Sequence, residues 1–404
     1  MEVTMARNEQ TLPGGVRLND HLGSGVLAEV VPMPLVREVV ARHGKQTLRN
    51  RKLPREMLVY YVIAMALFSN INIRSVLQAL LESLSGLFPS LCRWAACESA
   101  ISQGRTRLGE HVIRELAERV CRPAAEADSR GAWYGSFRLM AIDGSSFTLP
   151  DEREIVKEFP KHSNGKDYPN PQLRFVALVE IGTRCMCAVA QGTDKDSEKS
   201  LAEKVLARLM PDMLLLGDRY YMGYDLFTKT SATGAQVLFR AKANLGLKPL
   251  EYLPDGSYLA KIYRDRKDRR QDGGLGVRVI EYRVNENGKP RGESCRLVTS
   301  ILDWQKAPAE ELAMLYCRRW GIETAFDELK SHLKLPGHTL RSKRPDLVRQ
   351  EFWGFVIAHY VVRFIMHRAA RANDIDPDDL SFQQTVNILR RKAASAVLSP
   401  PRGQ

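Results

Sequence analysis

No C-x-x-C pair occurs in the 404 residues, and the seven cysteines, Cys92, Cys97, Cys121, Cys185, Cys187, Cys295 and Cys317, are odd in number and widely scattered. Nothing in that spacing suggests a zinc ribbon or a dithiol redox centre. The nearest pair, Cys185 and Cys187, lies in a strand-like run where alternate side chains share a face, yet no second Cys or His pair at metal spacing accompanies it. A reducing cytoplasm fits this cysteine usage. Long hydrophobic runs are also missing. The most apolar stretches, 57–68 and 352–366, fall short of the ~20 residues that span a bilayer, and the second contains Arg363. The first 22 residues are polar and lack the cationic start and apolar core of a signal peptide. No internal repeat or low-complexity tract interrupts an ordinary globular composition.

Positive charge is what the sequence has in excess. Sixty Lys and Arg oppose 47 Asp and Glu, for a net charge of +13. A folded surface of that balance favours polyanions. Charge alone leaves open both a nucleic-acid partner and an ordinary basic protein. With 44% hydrophobic residues the chain has material for two or three packed domains.

Hydrophobic periodicity divides the chain. After a short arm, residues 1–33, helices are expected at 34–43, 54–68, 73–87 and 97–122, punctuated by Pro54, Gly44, Asn70 and Gly86. The last of these carries Gln103, Arg105 and Arg107, which on an exposed turn would suit DNA as well as a solvated helix face. From residue 136 short β-rich runs take over at 137–142, 173–181 and 185–191. A helix at 197–210, a strand at 213–217, a helix at 224–230 and a strand at 236–241 follow. Three strands followed by alternating helices and strands predict an α/β fold on a mixed sheet, the order found in ribonuclease-H-like nucleases. Residues 245–302 interrupt it with strands at 257–263, 277–284 and 295–302 around a basic loop, Arg264 to Arg270, which reads as a solvated face or a clamp on a nucleic-acid backbone. Helices at 309–333, 346–373 and 381–394 close the chain. The expected organisation is an arm (1–33), a helical N-terminal domain (34–130), an α/β domain (131–335) with a β insertion at about 245–302, and a C-terminal helical region (336–404).

Asp143 follows the apolar run Leu-Met-Ala-Ile, and Asp218 follows Leu-Leu-Leu-Gly217, so each carboxylate stands where a buried strand leaves its sheet. Such positions suit the holding of hard cations, although Asp after a strand is also an ordinary turn former. More specific is the helix at 309–333. Counted at 100° per residue from Tyr316, Arg319, Glu323 and Lys330 fall at roughly 300°, 340° and 320°, a single stripe about 60° wide. Leu315, Ile322, Phe326 and Leu329 form a bordering apolar stripe that would fix the helix on the sheet. An ion-paired solvated helix face would show some of this pattern.

The run Tyr316-Cys-Arg-Arg319-Trp-Gly-Ile-Glu323-Thr-Ala-Phe-Asp-Glu-Leu-Lys330 resembles the Y-(2)-R-(3)-E-(6)-K signature of the insertion-element-4 family of DDE transposases at all four positions. Asp143 in Ile-Asp-Gly-Ser and Asp218 in Leu-Gly-Asp-Arg-Tyr-Tyr are similar, in the right order, to the family's two catalytic aspartates, and Arg49 to Pro54 and Ser99 to Gln103 resemble its N-terminal region. The resemblance covers roughly residues 15–395. It implies a ribonuclease-H-like catalytic fold in which Asp143, Asp218 and Glu323 hold two divalent metal ions, Mg²⁺ with Mn²⁺ as a substitute, for attack on phosphorus by water or a DNA 3′-hydroxyl. It further implies that Tyr316, Arg319 and Lys330 hold phosphates of the transposon end. The implied partners are double-stranded DNA and a second copy of the chain in a paired-end complex, in the cytoplasm at the nucleoid and without a membrane. Some family members stack a displaced base on an aromatic residue; Trp304 has no motif match for that role and reads as core. A nuclease of the same fold that does not join DNA, and a non-catalytic DNA-binding regulator derived from a transposase, are the rival functions.

Overall fold

The computed structural model describes residues 26–45, 53–72, 74–77, 80, 97–163, 166–167, 169–270, 273–283, 285–286, 289–290 and 295–395. The expected arm up to residue 25, the motif residues 49–52 and most of the helix expected at 73–87 lie outside these. The chain divides into two compact units.

The first unit combines residues 1–124, 147–173 and 326–404. Its helices are α1 (Val26–Val30), α2 (Met33–Arg42), α3 (Arg55–Leu67), α4 (Glu98–Leu108), α5 (Glu110–Val120), α6 (Arg153–Glu158) and, after the second unit's segment, α11 (Pro345–Ala372) and α12 (Phe382–Ser395). Helix α3 is apolar on every side, which marks a helix enclosed by others; all its residues from Met57 to Leu67 are buried. It packs on α11, and the approach is close because Gly354 presents no side chain: a Cβ there would stand 2.6 Å from the Val62 carbonyl oxygen. The helix expected over 97–122 is two helices. Gly109, at φ +84°, turns the chain between α4 and α5, a conformation that L side chains rarely adopt. That break changes the expected role of Arg105. Instead of projecting into solvent, it is buried and donates to Gln350 Oε1 (2.9 Å), Ser342 Oγ (3.1 Å) and the Leu347 carbonyl (2.9 Å). Gln103 and Arg107 do remain exposed, joined at 2.9 Å.

The second unit, residues 125–146 and 174–325, is built on the sheet. In chain order its strands are β1 (Trp133–Tyr134), β2 (Phe137–Thr148), β3 (Gln172–Glu180), β4 (Met186–Gly192), β5 (Met213–Gly217), β6 (Gln236–Arg240), β7 (Glu251–Tyr252), β8 (Tyr258–Ile262), β9 (Leu275–Tyr282) and β10 (Cys295–Thr299). They lie in the order β4-β3-β2-β5-β6-β10-β9-β8-β7, with β1 beside β2. Strands β2, β5 and β6 run parallel, joined by α7 (Glu198–Leu206) and α8 (Tyr224–Ala232). Continuous apolar runs mark strands covered on both faces, and every residue of β5, Met-Leu-Leu-Leu-Gly, is buried. The expected insertion is present and does not stand apart: β10 pairs antiparallel with β6, and β9, β8 and β7 extend the same sheet. Arg278 anchors this extension. It is fully buried, donates to Ser257 Oγ (2.7 Å) and the Ala307 carbonyl (2.6 Å), and pairs with Asp255. The mixed sheet with flanking helices is the ribonuclease-H-like fold expected from the sequence. Among the described residues no helix is long and apolar enough to cross a membrane.

Candidate active site

Pairing between β2 and β5 sets Ile142 opposite Gly217. Asp143 and Asp218 are therefore the next residues on adjacent parallel strands, whose spacing is about 4.8 Å. Gly217 is required there, because a Cβ would meet the Phe239 ring at 2.8 Å. Asp143 is not at a strand end as the sequence suggests: it lies midway along β2, which continues to Thr148, whereas Asp218 directly follows the last residue of β5. Each carboxylate accepts from a backbone amide close to it in sequence. Asp143 Oδ1 accepts from Gly144 N (2.8 Å), and Asp218 Oδ1 accepts from Tyr220 N (2.8 Å).

The helix expected to run unbroken through 309–333 is a succession of segments. It comprises α9 (Ala309–Tyr316), a 3₁₀ turn (Cys317–Trp320), α10 (Gly321–Asp327) and a π-helical stretch (Glu328–Leu333). Tighter and wider turns of this kind interrupt the 100° count used to align the stripe, and π-turns are frequent at functional sites. Tyr316, Arg319 and Glu323 still meet. Arg319 Nη2 donates to Glu323 Oε1 (3.0 Å), and its Nη1 lies 3.6 Å from Asp143 Oδ2. Tyr316, itself buried, donates its hydroxyl to the Gly217 carbonyl (3.3 Å), one residue before Asp218. Lys330 falls in the π-helical stretch, beyond the boundary of the second unit.

Electrostatics distinguish the members. Burial pushes the Asp143 carboxyl from its ordinary 3.8 up to about 6. The Gly144 amide and Arg319 oppose this, while the charges of Asp218 and Glu198 add to it. Burial likewise raises Tyr316 to about 12, so it is a neutral hydrogen-bond donor at any physiological pH. For Arg319 burial acts to lower the pKa, but Tyr316, Glu323 and Asp143 together carry it above its ordinary value. The guanidinium sits 5.2 Å over the exposed Trp320 ring, and its Nε is buried with no hydrogen-bond partner. A buried N–H so placed can donate to an anionic oxygen.

Two residues escaped the sequence reading. Tyr221, 1% exposed, donates to Glu198 Oε1 at 2.6 Å, and Glu198 lies against Gly144. Their only sequence signals are a Tyr pair after Asp218 and an acidic residue at a helix start. Trp304 is half-buried, at neither extreme.

The donor set, three carboxylates and no sulfur, is that of a hard divalent cation. A buried Asp143 whose ionisation is opposed by Asp218 gains from such a cation. Among the described residues no three carboxylate, His or Cys side chains converge on one ion position, and Glu323 is engaged by Arg319.

Comparison with known proteins addresses the same segments. Residues 21–118 match the family model described as insertion element 4 transposase N-terminal, and residues 135–361 match the transposase DDE domain. The chain belongs to the insertion element 4 family of DDE transposases. The transposase of insertion sequence element IS4 from Escherichia coli (strain K12), InsG, is 30% identical over 369 residues, covering 90% of this chain and 82% of that protein. Putative transposase InsZ of the same organism is 25% identical over 52% of this chain and 68% of its own length. Putative transposase y4zB of Sinorhizobium fredii (strain NBRC 101917 / NGR234) is 27% identical over 46% and 51%. A cryo-EM structure of the piggyBac transposase synaptic complex with hairpin DNA aligns with TM-score 0.46 at 11% identity, over 94% of this chain and 80% of that one. Domains of this transposase's DDE class generally use divalent metal ions.

Proposed function

We propose that this transposase binds the ends of its insertion sequence, cleaves them and transfers the 3′-hydroxyl ends into target DNA. Asp143, Asp218 and Glu323 are its metal-binding carboxylates. The observation that carries this reading is the pairing of Ile142 with Gly217, which sets Asp143 on β2 beside Asp218 at the end of β5, together with Arg319, which ties Glu323 to the Asp143 side. Two Mg²⁺ ions, or Mn²⁺ in their place, would supply a deprotonated attacking oxygen and a stabilised leaving oxygen for in-line displacement at phosphorus. The chain's own residues do the rest. Asp143 and Asp218 hold their positions through the Gly144 and Tyr220 amides. Glu323 would hold the metals together with Asp143 and Asp218, and the Arg319 guanidinium beside it is placed to grip a phosphate of the transposon end. Tyr316 fixes the carbonyl of Gly217, and with it the start of the Asp218 loop, and Lys330 adds a further contact to backbone phosphate. The N-terminal helices at 34–130 are assigned to end binding, and two copies of the chain join in the paired-end complex, in the cytoplasm at the nucleoid.

Incubation of the purified protein with Mg²⁺ and its own element ends is expected to give cleaved ends and joined products, and pre-cut ends separate joining from hydrolysis. Glu323→Gln should bind those ends and leave them uncut. Unimpaired cutting by that variant would sink the assignment.

A further inference from the structure

Glu198 is the first residue of α7, and its carboxylate is not needed to start that helix. The N-cap is Ser197, whose Oγ already accepts from Ser200 N at 3.1 Å. The Glu198 side chain turns instead toward the segment of β2 that carries Asp143 and the loop that begins at Asp218. Its Oε1 accepts from the Tyr221 hydroxyl at 2.6 Å, three residues after Asp218. Its Cδ lies 2.5 Å from the place a Cβ would occupy on Gly144, the residue after Asp143. Only glycine at 144 admits this approach. Tyr221, fully enclosed, holds the carboxylate from the other side.

The Glu198 carboxylate puts negative charge beside Asp143. When cations occupy the centre, that added charge strengthens their binding. Groups one step removed from a metal commonly tune it in this way.

We propose that Glu198, held by the Tyr221 hydroxyl, is a positioning residue of the catalytic metal centre, fixing the Asp143 segment of β2 and the loop after Asp218 against each other and adding negative charge beside them. This rests on the assignment of Asp143 and Asp218 as metal-binding carboxylates. Glu198 tunes the centre rather than forming part of the triad, and Gly144 and Tyr221 are present to accommodate it.

The test is binding of Mn²⁺ alone to the full-length protein without DNA, with free ion counted by electron paramagnetic resonance. Glu198→Gln preserves shape and the acceptor for Tyr221 but removes the charge; Tyr221→Phe removes only the hydrogen bond. Glu198→Gln is expected to weaken Mn²⁺ binding by about tenfold, with the melting temperature of the metal-free protein unchanged or raised. The Mg²⁺ concentration giving half-maximal end cleavage should rise by a similar factor, and excess metal should restore the rate. Tyr221→Phe should show a smaller loss in the same direction. Unaltered Mn²⁺ affinity in both variants overturns the proposal, as does a fall in metal-free melting temperature with affinity retained. Asp218→Asn is the control. If it loses Mn²⁺ while Glu198→Gln does not, only the role of Glu198 falls; if it also binds normally, the carboxylate assignment itself has failed.

Discussion

Replacing a carboxylate proposed to hold the metals is expected to make this protein more stable, and Asp143 is the place to measure it. Its folded-state pKa of about 6 lies above the ordinary 3.8 because burial, Asp218 and Glu198 oppose its charge more strongly than Gly144 and Arg319 support it. A raised carboxylate pKa means that the folded protein holds its proton longer than the unfolded chain. Stability is therefore lost as pH rises from about 4 through 6 and stays reduced above that. Each pH unit between the two values is worth about 1.36 kcal/mol, so above pH 6 the ionised carboxylate costs the metal-free protein up to roughly 3 kcal/mol. Asn keeps the shape and the acceptor for the Gly144 amide. Urea unfolding of Asp143→Asn in EDTA should show a gain of about 1–3 kcal/mol at pH 8, shrinking below about 1 kcal/mol near pH 4. Mn²⁺ at a thousand times its dissociation constant should reverse the order, since the parent protein then gains about 4.1 kcal/mol of binding energy that the variant lacks. A variant no more stable than the parent at pH 8, or a difference that ignores pH, would refute the account of Asp143 as a buried, mutually repelled carboxylate.

Arg319→Lys should lower single-turnover end cleavage by roughly 100-fold, because one ammonium cannot match the planar guanidinium that spans Asp143 and Glu323; near-parent rates would show that charge alone suffices. Glu328 is buried between His359 and Arg363, and although burial acts to raise its pKa, their hydrogen bonds and charge carry it down to about 2. Its contribution is therefore present above the ordinary 4.5 and is lost as pH falls through about 2. Glu328→Gln should cost about 3–5 kcal/mol at pH 7 by leaving Arg363 buried and unpaired, read by chemical denaturation, and a loss below 1 kcal/mol would contradict it. Gly354→Ala should destabilise by about 1–3 kcal/mol through overpacking against the Val62 carbonyl; a melting temperature equal to the parent's would show that α3 and α11 part easily.

Much of this protein was readable without coordinates, for a local reason. Strand β5 was read at its observed bounds because an unbroken apolar run ending in Gly-Asp reports its own burial and its own end. The signature helix was readable because residue type and helical spacing coincide within a few turns. Elsewhere local pattern was insufficient. Arg105 reads as a surface cation until Gln350, Ser342 and the Leu347 carbonyl, some 240 positions away, enclose it. The predicted helix over 97–122 divides because Gly109 adopts a backbone angle that the sequence permits but does not require. The insertion strands were visible as strands, while their addition to the main sheet depended on β10 finding β6.

The same division runs through the site. Sequence by itself determined which carboxylates were candidates and that Glu323 travels with Tyr316 and Arg319, because those relations are short-range. Only the tertiary structure decided that Ile142 faces Gly217, which puts Asp143 and Asp218 side by side. It also decided that Glu198 and Tyr221 reach into that corner. Strand register and the approach of a helix start to a strand and a loop arise from packing between distant segments, and no periodicity along the chain encodes them.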